Sequence, residues 1–400
     1  MPDPSDAPRT ALFHGTFLGL ADAPTTAREG WLRVEGGRVA AFHDAAPADA
    51  DAATSLPGTA MPGLIDAHVH LAMDGDADPA GRLRGETQNA TVLGAVERMG
   101  AQLDAGVTTV RDLGGPYGLA QDLAAAVDAG RLEGPRVVGC GRNVVMTGGH
   151  GHFLGVEADG PDGVRRAVRG ELKAGAAVIK LMATGGVLTQ GVRAGAEQFT
   201  EAELRAGIEE AHKADRRTAT HAQGLAGIKN ALRAGIDTIE HGAFDHWDDE
   251  AFTLLTDAAQ PRWLVPTLAA PDGILKGEGR VPAWAIAKTK PIGERHRANV
   301  TEAYRAGVTL AAGTDAGTPL NPHGGLPREL GLMHEVGVAL EDVFAAVTTH
   351  AAAALDRAGA IGTLAPGAHA DLVALDGDPL RDVHAYARPQ AVVHGGRRVR

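Results

Sequence analysis

The residues with the most to say about chemistry lie in Asp66-Ala-His68-Val-His70. A β-strand has a period of two, so His68 and His70 project from one face and can converge on one point. Four further segments end in, or contain, groups able to bind a metal. Lys180 sits inside the apolar run Val178-Ile-Lys-Leu-Met182, and His221 closes Thr218–His221. Glu240-His241 closes Thr238–His241, and Asp315 closes Gly313-Thr-Asp315. Taken singly, each has an ordinary structural reading: a snorkelling lysine, a turn-capping aspartate, a satisfied histidine. Their joint placement, at or facing the C-terminal ends of successive strands, is what points to a site. Gln223 lies two residues beyond His221 and can reach the same mouth. Arg193, in the loop Thr189–Ala196, could grip a substrate carboxylate through both guanidinium nitrogens. Arg111 and Asp112 end the second strand, as supports of the site or as a structural pair beneath it.

The elements that must position these groups follow from the pattern. Short β-branched runs alternate with longer Ala/Leu/Arg/Glu stretches between about residues 60 and 363. Strands are expected at Leu64–His70, Thr108–Leu113, Arg136–Cys140, Val178–Met182, Thr218–His221, Thr238–His241, Trp263–Thr267 and Thr309–Thr314. Helices are expected at Thr91–Asp104, Gly118–Ala129, Asp162–Ala174, Thr200–Ala214 and Gly224–Ala234. Thr200 and Glu203 have capping-box spacing. Eight strands with intervening helices predict an α/β chain built as a (β/α)8 TIM barrel over 60–363, with reactive groups at the strands' C-terminal ends. A doubly wound sheet also alternates, but no Gly-x-Gly-x-x-Gly follows the first strand. The stretch Ala270–Gly293 reads as a lid or insertion. Both ends of the chain are strand-rich: Trp31–Val34 and Arg38–Phe42 flank Glu35-Gly-Gly37, and Ala370–Leu375 and Ala391–His394 lie near the other terminus. Residues 1–59 and 364–400 are therefore expected to form one small β-sandwich domain.

Composition narrows the function classes. A net charge of −12 argues against nucleic acid or an anionic membrane surface as partner. Cys140 is the only cysteine, which excludes an internal disulfide and cysteine-rich zinc sites. Met1–Thr10 carries three prolines, two aspartates and no apolar targeting run, and no stretch has the ~18 apolar residues of a membrane span. A cytoplasmic protein is expected.

Several segments together are similar to the metal-dependent amidohydrolase superfamily. Met61-Pro-Gly-Leu-Ile-Asp-Ala-His-Val-His70 resembles its strand-one signature, and Gly362-Thr-Leu-Ala-Pro-Gly-Ala-His-Ala-Asp-Leu-Val373 its C-terminal β-domain signature. Gly106-Val-Thr-Thr-Val-Arg-Asp-Leu-Gly114, Ile179-Lys-Leu-Met-Ala-Thr-Gly-Gly186, Ile239-Glu-His-Gly242 and Gly313-Thr-Asp-Ala-Gly317 resemble a branch with prolidase-like enzymes, Xaa-Arg/Lys dipeptidases and ochratoxin amidases. The resemblance implies a binuclear hydrolase of an amide C–N bond in a small substrate such as a dipeptide or N-acyl amino acid. A cyclic amide, imidazolone, carbamate or lactone is the alternative. It implies two divalent ions, zinc first: His68, His70 and Asp315 at one, His221 and His241 at the other, and N-carboxylated Lys180 between them. A metal-bridging hydroxide would attack, and Asp315 would carry its proton to the leaving nitrogen. His150, in Met146-Thr-Gly-Gly-His-Gly-His152, is implied as a pocket and catalytic residue, and His323 in Asn321-Pro-His323 as a substrate contact. Gln223 stands where some relatives carry tyrosine, so an amide would replace a phenol as donor to the developing oxyanion. The family likeness also implies assemblies of identical chains.

Overall fold

The computed structural model describes residues 10–400, so most of Met1–Thr10 lies outside the described residues. The chain opens with β1 (Thr10–Phe17), β2 (Arg28–Glu35), β3 (Arg38–His43) and β4 (Thr54–Pro62). β2 and β3 pair antiparallel across Gly36 and Gly37, which both have positive φ, 56° and 75°. A tight hairpin turn of that hand needs two such residues, and glycine takes the conformation without a Cβ penalty.

The central region alternates strands and helices. β5 (Leu64–Val69) is followed by α1 (Pro79–Gly85) and α2 (Gln88–Asp104), β6 (Val107–Asp112) by α3 (Leu119–Asp128). β7 (Arg136–Gly139) and the short β8 (Asn143–Val145) and β9 (Gly155–Glu157) precede α4 (Gly160–Lys173). β10 (Val178–Met182), α5 (Glu201–Lys213), β11 (Arg217–Ala222), α6 (Leu225–Ala234), β12 (Thr238–His241), α7 (Asp249–Leu255) and β13 (Trp263–Val265) complete the regular alternation. Three helices, α8 (Ala269–Lys276), α9 (Ala283–Thr289) and α10 (Gly293–Arg305), then lead towards residues 309–316. α11 (Leu326–Glu335), α12 (Leu340–Val347) and α13 (Thr349–Ala354) follow. The expected capping box at α5 is present, with Thr200 and Glu203 satisfying each other's backbone N–H groups. The stretch Ala270–Gly293 is therefore largely helical.

All neighbouring central strands run parallel: β5–β6–β7 in one ladder and β13–β12–β11–β10–β8–β9 in another. β5, β6 and β10 are buried at every position, as parallel strands covered on both faces should be. Backbone hydrogen bonds join the two ladders. Ala177 N–H donates to Gly139 O on one side. On the other, residues 309–316 lie between β13 and β5. Leu264 N–H donates to Thr309 O, Ala67 N–H to Ala312 O, and Asp315 N–H to His68 O.

The segment 309–316 is not a regular strand, contrary to expectation, and the cause is a side chain on β5. Asp66 Oδ1 accepts from Thr314 N–H (3.0 Å) and His68 N–H (3.2 Å), while Oδ2 accepts from the Thr314 hydroxyl (2.7 Å). A carboxylate thus occupies the place of a ladder partner, and Asp315 turns to φ 58° just after it. Gly313 approaches β5 so closely that a Cβ would sit 2.9 Å from the His68 nitrogen.

β14 (Leu372–Leu375), β15 (Pro389–His394) and β16 (Arg397–Arg398) return to the N-terminal strands. Pairing runs continuously as β16–β15–β14–β4–β1–β2–β3, a single seven-stranded mixed sheet. Phe13, Phe17, Leu32, Leu56, Leu372 and Val393 belong to its own apolar cluster.

One buried ion pair spans the central region. Arg111 on β6 and Glu240 on β12 have no exposed side-chain surface, and Arg111 Nη2 donates to Glu240 Oε1 at 2.8 Å. Arg111 Nε also donates to Ala67 O (2.6 Å) and Nη1 to Thr238 Oγ1 (3.1 Å). Removing one partner strands a buried charge. Arg111→Met is expected to cost about 3–5 kcal/mol. Joint replacement with Glu240→Leu is expected to regain part of it. Urea denaturation of the three variants checks this.

Candidate metal centre

The strand ends bring His68, His70, Lys180, His221, His241 and Asp315 to one cavity, of about 730 Å³ and open to solvent. His68 Nε2 lies 3.5 Å and His70 Nε2 3.3 Å from Asp315 Oδ1. Donor atoms of His68, His241 and Asp315 fall within 4.8 Å of one another. The His221 and His241 rings are 4.5 Å apart. The two-residue period of β5 thus sends His68 and His70 the same way, as strand geometry requires.

Three of the four imidazoles are held from behind. His68 Nδ1–H donates to Glu240 Oε2 at 2.9 Å, and His70 Nδ1–H donates to Gly114 O at 3.0 Å. Both therefore turn Nε2 inward, the orientation that outer carboxylates and carbonyls impose on metal-binding histidines. His241 Nδ1 meets Thr267 Oγ1 at 2.7 Å. Asp112 acts one layer further out: it accepts from Leu71 N–H (2.7 Å) and Gly114 N–H (3.1 Å), fixing the carbonyl on which His70 leans. Burial holds His68, His221 and His241 well below the ordinary imidazole pKa, so they are neutral at pH 7. Neutral imidazole is the form that donates a lone pair to a metal.

The donor set fits divalent ions. Four imidazoles and a carboxylate line the cavity in which Lys180 Nζ and His221 Nε2 are buried with no hydrogen-bond partner. Buried polar atoms left unsatisfied are costly, and a bound ion is a natural partner for them. Backbone strain gathers here too: His241, Thr267 and Asp315 are non-glycine residues at φ 71°, 50° and 58°.

The other expected site residues divide. His150 lines the cavity, its ring 4.4 Å from that of His221. Thr189 orients it. Gly151 N–H donates to Thr189 Oγ1 (3.1 Å), and the same hydroxyl lies 3.0 Å from His150 Nδ1. If Nδ1–H donated, the buried hydroxyl proton would lack an acceptor. The satisfied arrangement has Thr189 donating to Nδ1 and the ring proton on Nε2. Burial pushes the His150 pKa down to about 3, so the ring is neutral. Gln223 also lines the cavity, and its buried Oε1 has no protein partner. Arg193 and His323 do not line it. Arg193 is exposed, because its loop turns it outward. His323 has both nitrogens engaged, Nε2 with Met73 O (3.0 Å) and Nδ1 with Gln102 Nε2 (3.3 Å), and it braces the loop after β5.

Glu240, Thr189 and Lys288 carry roles that their positions in sequence did not announce. Lys288 on α9 donates to the carbonyls of Thr189 (2.6 Å) and Val192 (2.5 Å), clasping α9 to the loop after β10. Glu329 on α11 accepts from Leu268 N–H (2.9 Å) and Ala269 N–H (2.6 Å), fixing the start of α8, which also lines the cavity. Charge-assisted hydrogen bonds contribute roughly 1.5–3 kcal/mol. Lys288→Met is therefore expected to raise amide exchange across residues 186–192 by about 10- to 100-fold, measured by hydrogen–deuterium exchange.

Comparison with known proteins places this geometry. Residues 59–399 match the amidohydrolase family. The chain is 32% identical over 368 residues to ochratoxinase of Aspergillus niger, covering 84% of this chain and 73% of that one. A solved prolidase complexed with N-methylphosphonate-L-proline superposes with a TM-score of 0.88 at 30% identity, covering 98% of this chain and 99% of that one. An Xaa-Pro dipeptidase with methionine bound in its active site gives 0.87 at 27% identity, with 97% and 99% covered. The chain belongs to the amidohydrolase family, in the branch with prolidases and ochratoxinase. It is a hydrolase acting on carbon–nitrogen bonds. Among the described residues no helix is long and apolar enough to cross a membrane.

Proposed function

We propose that this chain hydrolyses the amide bond of a small substrate, a dipeptide or an N-acyl amino acid, with two divalent ions at the strand-end site. The observation that carries this reading is that His68, His70, His221, His241, Lys180 and Asp315 line one cavity, with donor atoms of His68, His241 and Asp315 within 4.8 Å of one another and Lys180 Nζ and His221 Nε2 unpartnered. In this reading the eight parallel segments close a (β/α)8 barrel over 60–363. The terminal sheet forms a separate β domain from 1–59 and 364–400.

His68, His70 and Asp315 would hold one ion, and His221 and His241 the other. Lys180, once its neutral amine has added CO2 and lost a proton, would help hold both. An ammonium cannot ligate a cation, whereas the carbamate formed with CO2 is an anion with two oxygens. An imidazole and carboxylate donor set suits zinc. Bound divalent ions supply Lewis acidity towards the scissile carbonyl and make water more acidic.

The chain's own residues do the rest. Asp315 takes the proton of the attacking water and gives it to the leaving nitrogen, without which an amine leaves as an unstable anion. His150 offers a neutral Nε2–H to the oxygen that gains charge as the carbonyl becomes tetrahedral. Gln223, uncommitted within the protein, adds an amide donor at the same mouth. Met73, Leu113, Met182 and Phe244 line the cavity and exclude bulk water from the reacting bond.

The direct test is a screen of dipeptides, N-acyl amino acids and small lactams with metal-loaded protein. Asp315→Asn is expected to lower kcat by about 10²–10⁴, since its amide relays no proton. Unchanged turnover would refute the relay. Elemental analysis of purified protein is expected to find two metal equivalents per chain at full activity. Full activity with one equivalent would sink the binuclear reading. Lys180→Ala is expected to empty the site, with partial rescue by short carboxylic acids.

A further inference from the structure

A second cavity, of about 940 Å³, adjoins the first, and Phe153 and Leu188 line both. Its wall is mostly apolar, with Trp284 from α9, Pro282 and Pro319. Its polar groups are largely committed. The Asp78 carboxylate accepts Gly81 N–H (3.0 Å) at the start of α1, His152 Nδ1 meets Gly149 O (3.0 Å), and the Thr189 hydroxyl serves His150. Arg84 differs. Its guanidinium lies over the Phe153 ring, 5.5 Å from the centroid, and it makes no ion pair among the described residues. A cation stacked on an aromatic face, in a largely apolar chamber whose one lining carboxylate, Asp78, caps α1, suits an anionic group on a flat apolar body.

We propose that this outer chamber is a distal substrate subsite for a flat aromatic group bearing a carboxylate. Phe153 and Trp284 would supply the aromatic surface and Arg84 the counter-charge. The inference rests on the amidase reading, because it takes the scissile bond to lie in the inner cavity with the substrate's far end passing Phe153 and Leu188. It makes Arg84 and Trp284 specificity-determining residues rather than catalytic ones. Trp284 also ties selectivity to the Lys288 clasp, since Lys288 Nζ lies 5.6 Å from its ring centroid.

Two measurements test it on the metal-loaded full chain. In the first, tryptophan emission is titrated with 2-naphthoate and with neutral 2-naphthamide. Saturable quenching that disappears in Trp284→Phe is expected. The carboxylate is expected to bind about tenfold more tightly than the amide, a preference erased in Arg84→Gln. Quenching that persists in Trp284→Phe, or a carboxylate preference that survives in Arg84→Gln, overturns the subsite. The second compares kcat/KM for N-acetyl-leucine, N-(2-naphthoyl)-leucine and N-(6-carboxy-2-naphthoyl)-leucine. The expected order rises along that series, and its last step collapses in Arg84→Gln. Cleavage of all three without selectivity overturns the subsite and leaves the amidase reading standing. Cleavage of none, with the binding result intact, counts against the amidase reading and leaves the subsite standing.

Discussion

The centre depends on one buried carboxylate, that of Glu240. Taking a carboxylate out of water costs several kcal/mol unless all its lone pairs are engaged. Here Oε1 accepts from Arg111 and from the Thr238 hydroxyl, and Oε2 accepts from His68 Nδ1–H. Arg111 neutralises the charge, and the remaining oxygen then fixes one imidazole's tautomer and direction. The pair also reaches from β6 to β12, so packing of the strands and aim of the His68 ring share one cause. A neutral glutamine at 240 would have to choose between satisfying Arg111 and accepting from His68.

Around that anchor the backbone is bent to purpose. His241, Thr267 and Asp315 hold left-handed conformations that cost of order 1–3 kcal/mol each. The neighbours hold them there. His296 Nε2–H donates to His241 O at 2.9 Å, and the Asn321 side-chain amide donates to Thr314 O (2.8 Å) and Asp315 O (2.9 Å). These hydrogen bonds keep the strained residues aimed at a common point. Such pre-organisation is what lets a site meet developing charge without reorganising during the reaction.

The roof of the cavity is built on a different principle. β5, β10, β11, β12 and the segment 309–316 carry the site residues on buried ladders, whereas α8, α9 and the loop after β10 cover them from outside. The roof is joined to the site by few bonds: Lys288 to the loop carbonyls, Thr189 to His150, and Glu329 to the start of α8. In the proposed reading, chemistry therefore sits on the buried ladders, and substrate choice on the part whose sequence can vary with least cost to the fold.

Much of the framework was legible without coordinates, because a strand-end ligand needs only local periodicity to be placed. His68 and His70 share a face by strand geometry alone, and the strands at Val178–Met182 and Thr238–His241 have the expected bounds. The capping box at Thr200 and the hairpin at Gly36-Gly37 were local as well. What sequence could not supply were interactions between distant residues. Glu240 meets Arg111 across 129 positions, and Lys288 meets Thr189 across 99. His323 and Arg193 carried suitable chemistry in suitable loops, yet loop path alone sent one into a structural brace and the other to solvent. The eighth strand failed for the same reason: Asp66, some 250 residues upstream, supplied the hydrogen bonds that a ladder would have made. Sequence determined which groups could bind metal and on which elements they ride. Tertiary structure alone decided which atoms converge, which tautomers they carry and which residues hold them, because hydrogen bonds and packing between remote segments leave no local periodicity.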